Sequence, residues 1–180
     1  EAQEMYSGIS ESLKSTRLGK QLEMLVNNAI ALSQQKKIDV GDKAENFSAP
    51  TPTGRELSLN EARGKVTIID FWASWCKPCR MENPNVVKVY NKYHEKGLNI
   101  IGVSLDKKKE AWLKAIQDDN LQWSHVSNLQ FWQEPIAQAY GVRSIPATFI
   151  LDEDGNVIAK NLRGPALEEK IAELLGENVL

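Results

Sequence analysis

Val66-Thr67-Ile68-Ile69-Asp70-Phe71-Trp72-Ala73-Ser74-Trp75-Cys76-Lys77-Pro78-Cys79 is an apolar run ending in a Cys-x-x-Cys pair that uses both cysteines of the chain. The run has the length and composition of a buried strand, Val66–Ala73. Proline immediately before the second cysteine suits the first turn of a helix. The segment therefore reads as a strand delivering a dithiol to a helix N-terminus. Unpaired backbone N–H groups and the helix dipole stabilise negative charge there. Cys76 is the candidate nucleophile, as a thiolate. Cys79, one turn further in, is placed to attack a mixed disulfide on Cys76 and is the candidate resolving cysteine. A structural disulfide, half of a zinc site or two unrelated core cysteines are the other readings. Zinc asks for four ligands, whereas the chain has no second cysteine pair and its two histidines, His94 and His125, lie far off without ligand spacing.

The acids near the dithiol extend the argument. Asp70 sits at an inward-looking position of an apolar strand, where a carboxylate is costly without work or a partner. It is the candidate proton acceptor for Cys79. Glu82, three residues after Cys79, shares a helix face with it and offers either a second carboxylate for that transfer or a surface residue. Lys77 and Pro78 bear on the thiolate and on the stiffness of the loop. Trp75, with Phe131-Trp132, is a candidate for apolar surface at the site, and Trp72 for the core.

The segment Asp70-Phe71-Trp72-Ala73-Ser74-Trp75-Cys76-Lys77-Pro78-Cys79 resembles the active-site segment of the thioredoxin superfamily. Pro84 matches a kink-forming proline of the active-site helix. Ser144-Ile145-Pro146-Ala147-Thr148 resembles the loop carrying the family's cis-proline, which implies that Ile145 and Pro146 present backbone to an extended substrate. Glu82 and the extra stretch between Leu105 and Tyr140 most resemble the TlpA/ResA-like thiol:disulfide oxidoreductases, which are extracytoplasmic bacterial proteins. That resemblance implies protein thiol or disulfide substrates, with apocytochrome c among the clients, and recharging by a membrane-anchored dithiol donor. Isomerase or oxidase chemistry at the same site is decided by reduction potential. A peroxidase is disfavoured, since Ala73-Ser74-Trp75-Cys76 replaces the Thr-x-x-Cys expected of peroxiredoxins.

Outward from this segment, strand and helix alternate. Leu98–Leu105 is a strand, about Lys108 to Asp118 a helix, and Gln122–Val126 a short strand. A helix near Pro135–Tyr140 is followed by strands at Ala147–Leu151 and Asn156–Asn161 around an Asp152-Glu153-Asp154-Gly155 hairpin turn, and a helix over Ala166–Leu175. Phe47–Leu59 reads as two short strands around a Pro/Gly turn. The expected fold is α/β: a mixed thioredoxin-like sheet with helices on both faces.

At 180 residues the chain holds one full domain and an appendage. The expected division is a helical extension over residues 1–39 and the thioredoxin-like domain over 40–180. Met5, Ile9, Leu13, Leu22, Leu25, Val26, Ala29 and Leu32 recur at mostly three- and four-residue spacing, as an amphipathic helix or two helices joined near Gly19. Such a stripe packs on the body, is the remnant of an upstream domain, or forms a homodimer. A binding or assembly module built on this helix, with the dithiol as a clasp, is the reading from another class. A net charge of −2 argues against nucleic acid. Lys36-Lys37 and Lys107-Lys108-Lys109 read as solvated helix ends. No apolar stretch approaches the ~20 residues of a membrane span. Without an initiator methionine at Glu1, a targeting segment removed earlier is expected. No glycine-rich phosphate loop or metal-ligand cluster points to a cofactor or a metal.

Overall fold

A computed structural model describes residues 8–34 and 37–176. The backbone divides into two compact units, Glu1–Lys36 and Lys37–Leu180.

The first unit holds a short helix α1 (Glu11–Lys14) and a long helix α2 (Arg17–Gln34). The break falls at Ser15-Thr16, not near Gly19, which lies inside α2. Thr16 makes the difference: its hydroxyl accepts the Gly19 N–H at 3.0 Å and so starts the new helix. Gly19 fits against the preceding turn, where a Cβ would lie 2.2 Å from the Leu13 carbonyl oxygen. Leu13, Leu18, Leu22, Met24 and Leu25 are exposed. Met5 and Lys36 lie outside the described residues, as do the side chains of Ala29 and Leu32.

The second unit opens with the hairpin β1 (Ser48–Pro50) and β2 (Glu56–Ser58). A one-turn helix α3 (Leu59–Ala62) follows, closed by a capping box between Ser58 and Glu61. The main sheet has the order β5-β4-β3-β6-β7, with β3 at Val66–Trp72, β4 at Leu98–Ser104, β5 at Ser124–Val126, β6 at Ala147–Leu151 and β7 at Val157–Lys160. Strands β3, β4 and β5 run parallel, while β6 is antiparallel to both β3 and β7. Every residue of β3 is buried, which is why apolar residues run through it rather than alternating, with Thr67 and Asp70 as its polar members. Helices α4 (Lys77–Tyr93), α5 (Lys109–Asp118), α6 (Pro135–Ala139) and α7 (Pro165–Leu174) complete the unit. The Asp152–Gly155 turn joins β6 to β7, and Gly155 takes φ 86°, a conformation glycine adopts without steric cost.

The arrangement is a thioredoxin-like mixed sheet. Its topology places the C-terminal end of β3, the start of α4 and the start of β6 together, and these ends carry the dithiol, Asp70 and Pro146.

Candidate active site

Strand β3 ends at Trp72, and a tight turn closed by the Cys76 N–H to the Ala73 carbonyl (3.1 Å) leads into α4. Cys76 caps that helix, its sulfur accepting the Cys79 N–H at 3.3 Å. The two cysteines form a disulfide, with Sγ atoms 2.06 Å apart. Cys76 is 5 % and Cys79 2 % exposed, so both cysteines are buried in the oxidised protein. Lys77 and Pro78 are exposed on the first turn of α4.

A network beneath the turn fixes it. Asp106, buried two residues beyond β4, accepts the Ser74 N–H at 3.0 Å and hydroxyl at 2.6 Å, and the Ser104 hydroxyl at 2.7 Å. Arg80 donates to the Ser74 carbonyl at 3.2 Å and forms a forked pair with Asp119. Asp119 also accepts the Asn83 amide at 2.6 Å. Polar side chains from α4 and the end of α5 thus hold the loop before the dithiol in one geometry.

Asp70, Cys79, Glu82, Asn83, Pro146, Thr148 and Arg163 line one narrow cleft with Val86, Leu162 and Leu167. The Ile145–Pro146 peptide is cis. Asp70 pairs with Thr148 across the β3–β6 ladder, which brings the strand carboxylate beside the proline loop. Burial first, and then the nearby Glu82 charge, raise the Asp70 pKa to about 7, with Arg163 opposing both. Such a carboxyl exchanges a proton near neutral pH. Glu82 is half-buried, and its Oε1 accepts the Gly164 N–H at 2.7 Å and the Asn85 amide at 2.8 Å. It is therefore not a surface residue, and it bridges α4 to the loop before α7.

The remaining sequence candidates sort by exposure. Trp72 is core, 1 % exposed, whereas Trp75 is 47 % exposed and touches the rings of Phe131 and Trp132. Ile145 and Pro146 are half-buried. His125 lies buried between Trp72 and Trp123, and burial lowers its pKa to about 3, so it is a neutral core residue. Among the described residues, no group of three His, Cys, Asp or Glu side chains is arranged to hold a metal ion.

Sequence reasoning missed Arg163, Arg80, Asn83 and Asp119. Arg163 donates to the Pro146 carbonyl at 2.7 Å. Only the i, i+3 spacing of Arg80 and Asn83 offered a signal, a shared helix face. Nothing in the sequence pairs that face with Asp119, or Arg163 with Pro146.

Residues 40–160 match the model of the AhpC/TSA family. A thiol-disulfide oxidoreductase ResA of Bacillus cereus is 32 % identical over 143 residues, 79 % of this chain and 80 % of the relative. The thioredoxin-like protein YneN of Bacillus subtilis is 36 % identical over 120 residues, covering 66 % and 68 %. Among solved structures, the thioredoxin domain of a Bacteroides vulgatus thiol-disulfide oxidoreductase matches with TM-score 0.72 and 32 % identity, covering 77 % of this chain and 99 % of that one. A Bacteroides fragilis thiol-disulfide oxidoreductase matches with TM-score 0.69 and 32 % identity over 74 % and 99 %.

Proposed function

Since the chain belongs to the AhpC/TSA family of thioredoxin-like proteins, on its ResA-like branch, and is a thiol–disulfide oxidoreductase, we propose that it works as a reductase of protein disulfides through Cys76 and Cys79. The observation that carries this reading is the dithiol at the start of α4 with a carboxyl of raised pKa and Pro146 in the same cleft.

The Cys76 thiolate attacks one sulfur of a substrate disulfide. A Cys76–substrate S–S bond forms, the substrate S–S bond breaks, and the other substrate sulfur leaves as a thiolate that takes a proton from water. Cys79 then gives its proton to ionised Asp70 and attacks the Cys76 sulfur. The Cys76–Cys79 bond forms and the second substrate sulfur leaves as a thiolate that is protonated in turn. Two electrons have passed from the dithiol to the substrate. A partner dithiol, anchored to the membrane, returns them.

Each remaining residue has a part. Glu82 strengthens Asp70 as a base by raising its pKa through its charge, and ties α4 to Gly164. Lys77 and Pro78 favour the Cys76 thiolate and stiffen its turn. Trp75, Ile145 and Pro146 bind the substrate segment that carries the attacked cysteine. The protein acts outside the cytoplasm, where disulfide substrates such as apocytochrome c accumulate. Residues 40–180 are the redox domain. Residues 1–39 are an extension, and their exposed leucines, Leu13, Leu18, Leu22 and Leu25, offer an apolar surface for a homodimer contact.

The test is a trapping experiment. Cys79→Ser, reduced and mixed with a disulfide-bonded client, is expected to accumulate a Cys76-linked mixed disulfide visible by non-reducing mass spectrometry. Cys76→Ser is expected to form none and to lose turnover. Catalytic reduction by Cys76→Ser would sink the reading.

A further inference from the structure

The loop between β5 and α6 plays no part in the exchange just described, yet it is built at a conformational cost. Leu129 and Phe131 take φ 58° and 56°, left-handed backbone that bulky side chains avoid. Buried anchors hold them there. Glu134, fully buried, accepts the Asn128 N–H at 2.9 Å and its amide at 2.7 Å. The Ser127 hydroxyl donates to the Ser104 carbonyl at 2.8 Å and accepts the Leu129 N–H at 3.0 Å.

What this loop delivers is an aromatic shelf beside the nucleophile. The Phe131 and Trp132 rings lie 5.1 and 6.2 Å from Trp75, the residue preceding Cys76, and 6.0 Å from each other. Trp75 remains 47 % and Trp132 36 % exposed, so the rings are fixed by one another while leaving apolar surface open. Rings held in this way offer contact area with little side-chain entropy left to lose on binding.

Charge around the shelf has one dominant sign. Lys107 Nζ lies 4.7 Å from the Phe131 ring centroid, and Lys77 and Arg163 are exposed at the rim of the site. Of the acids near the site, Asp106, Asp119, Glu82 and Glu134 are engaged by internal donors, and Asp70 is buried in the cleft behind the dithiol. Glu110, in the first turn of α5, is the exposed acid next to the lysine run.

We propose that the Trp75–Phe131–Trp132 shelf is a specificity subsite that takes a bulky apolar side chain flanking the cysteine of an extended, acidic segment of the protein substrate, with Lys107 pairing a carboxylate. This rests on the reductase reading above and narrows its substrate class.

The test uses the full chain, recharged by a chemical dithiol, and two disulfide-linked peptides that differ only beside the cysteine, Phe-Glu in one and Gly-Gln in the other. Wild-type protein is expected to favour the Phe-Glu peptide in kcat/KM by about tenfold at low salt, the scale of one aromatic contact plus a weak ion pair. Trp132→Ala is expected to cut the preference to about twofold and Trp132→Phe to retain most of it. Lys107→Gln, an exposed change, is expected to remove its salt dependence.

Equal turnover of both peptides by wild type overturns the proposal and leaves the reductase reading standing. A dimer lost in Trp132→Ala would in that case assign the shelf to a second copy of the chain. A preference unchanged in both Trp132→Ala and Lys107→Gln overturns it as well. Reduction of neither peptide by wild type overturns the proposal together with the reading beneath it.

Discussion

Glu82 accepts the backbone N–H of Gly164 at 2.7 Å, joining the second turn of the dithiol helix to the loop that carries Arg163. The same carboxylate raises the pKa of Asp70 across the cleft. One side chain therefore both closes the cleft and sets its electrostatics, and substitution can separate the two. Glu82→Gln keeps an acceptor for Gly164 and removes the charge. The pH at which the resolving step gains its base is expected to fall, with little change in stability. Glu82→Ala removes the acceptor as well and is expected to cost about 1–2 kcal/mol in urea denaturation.

Asp70, with a pKa of about 7, is protonated in the folded protein at mildly acid pH and ionised above neutrality. Release of a trapped substrate by Cys79 is therefore expected to speed up as pH rises through about 7 and then level off. In Asp70→Asn that rise is expected to vanish and the rate to fall at least about a hundredfold at pH 8. Stopped-flow measurement of mixed-disulfide breakdown across pH 5–9 checks this. A pH profile unchanged in Asp70→Asn would remove Asp70 from the proposed role.

Stability carries the opposite sign. The folded pKa lies above the ordinary value of 3.8, so between about pH 4 and 7 the folded state holds a proton that the unfolded state has lost. Stability falls as pH rises through that window and is flat beyond it. The full penalty has an upper bound of about 4 kcal/mol, from three units of pKa at about 1.4 kcal/mol each. Asp70→Asn is expected to be more stable than wild type at pH 8, with the advantage shrinking toward pH 4, by denaturant titration at each pH.

Arg80 neutralises Asp119 and holds the Ser74 carbonyl. Arg80→Ala strands a partly buried carboxylate and loosens the turn before Cys76. It is expected to cost about 2–3 kcal/mol, less than a fully buried pair because both groups keep some solvent. Urea denaturation at neutral pH is the measurement. Arg80→Lys is expected to recover only part of the loss, since a single ammonium cannot replace the fork to Asp119.

Lys77 sits on the exposed first turn next to Cys76. A cation there favours the thiolate and hence the reduced protein. Lys77→Glu is expected to raise the Cys76 pKa and make the reduction potential more negative by on the order of 10–20 mV, the two-electron equivalent of a weak, solvent-screened charge interaction. Equilibration in dithiothreitol or glutathione buffers, followed by tryptophan fluorescence, reads both proteins. A wild-type potential near about −270 mV supports the reductase direction, and one near about −120 mV supports an oxidant.

Much of this molecule was legible in one dimension because the determining interactions are local. A strand buried on both faces is predominantly apolar rather than alternating, so Val66–Trp72 announced itself. A dithiol with proline at the first turn announced the helix start, and Asp-Glu-Asp-Gly announced the β6–β7 turn. Asp70 stood out because a carboxylate inside such a strand is costly wherever the strand lies. Where local signals competed, the reading slipped: Gly19 looked like a helix break, whereas the Thr16 hydroxyl set the boundary three residues earlier. What only the tertiary structure decided depends on residues distant along the chain. The Glu82–Gly164 bond, the Arg80–Asp119 fork, Arg163 on Pro146 and the meeting of Phe131 and Trp132 with Trp75 each join different elements. No periodicity or spacing encodes which partner a half-buried polar or aromatic side chain will meet. That is settled by the order in which the strands pair and by the loops they bring to one end of the sheet.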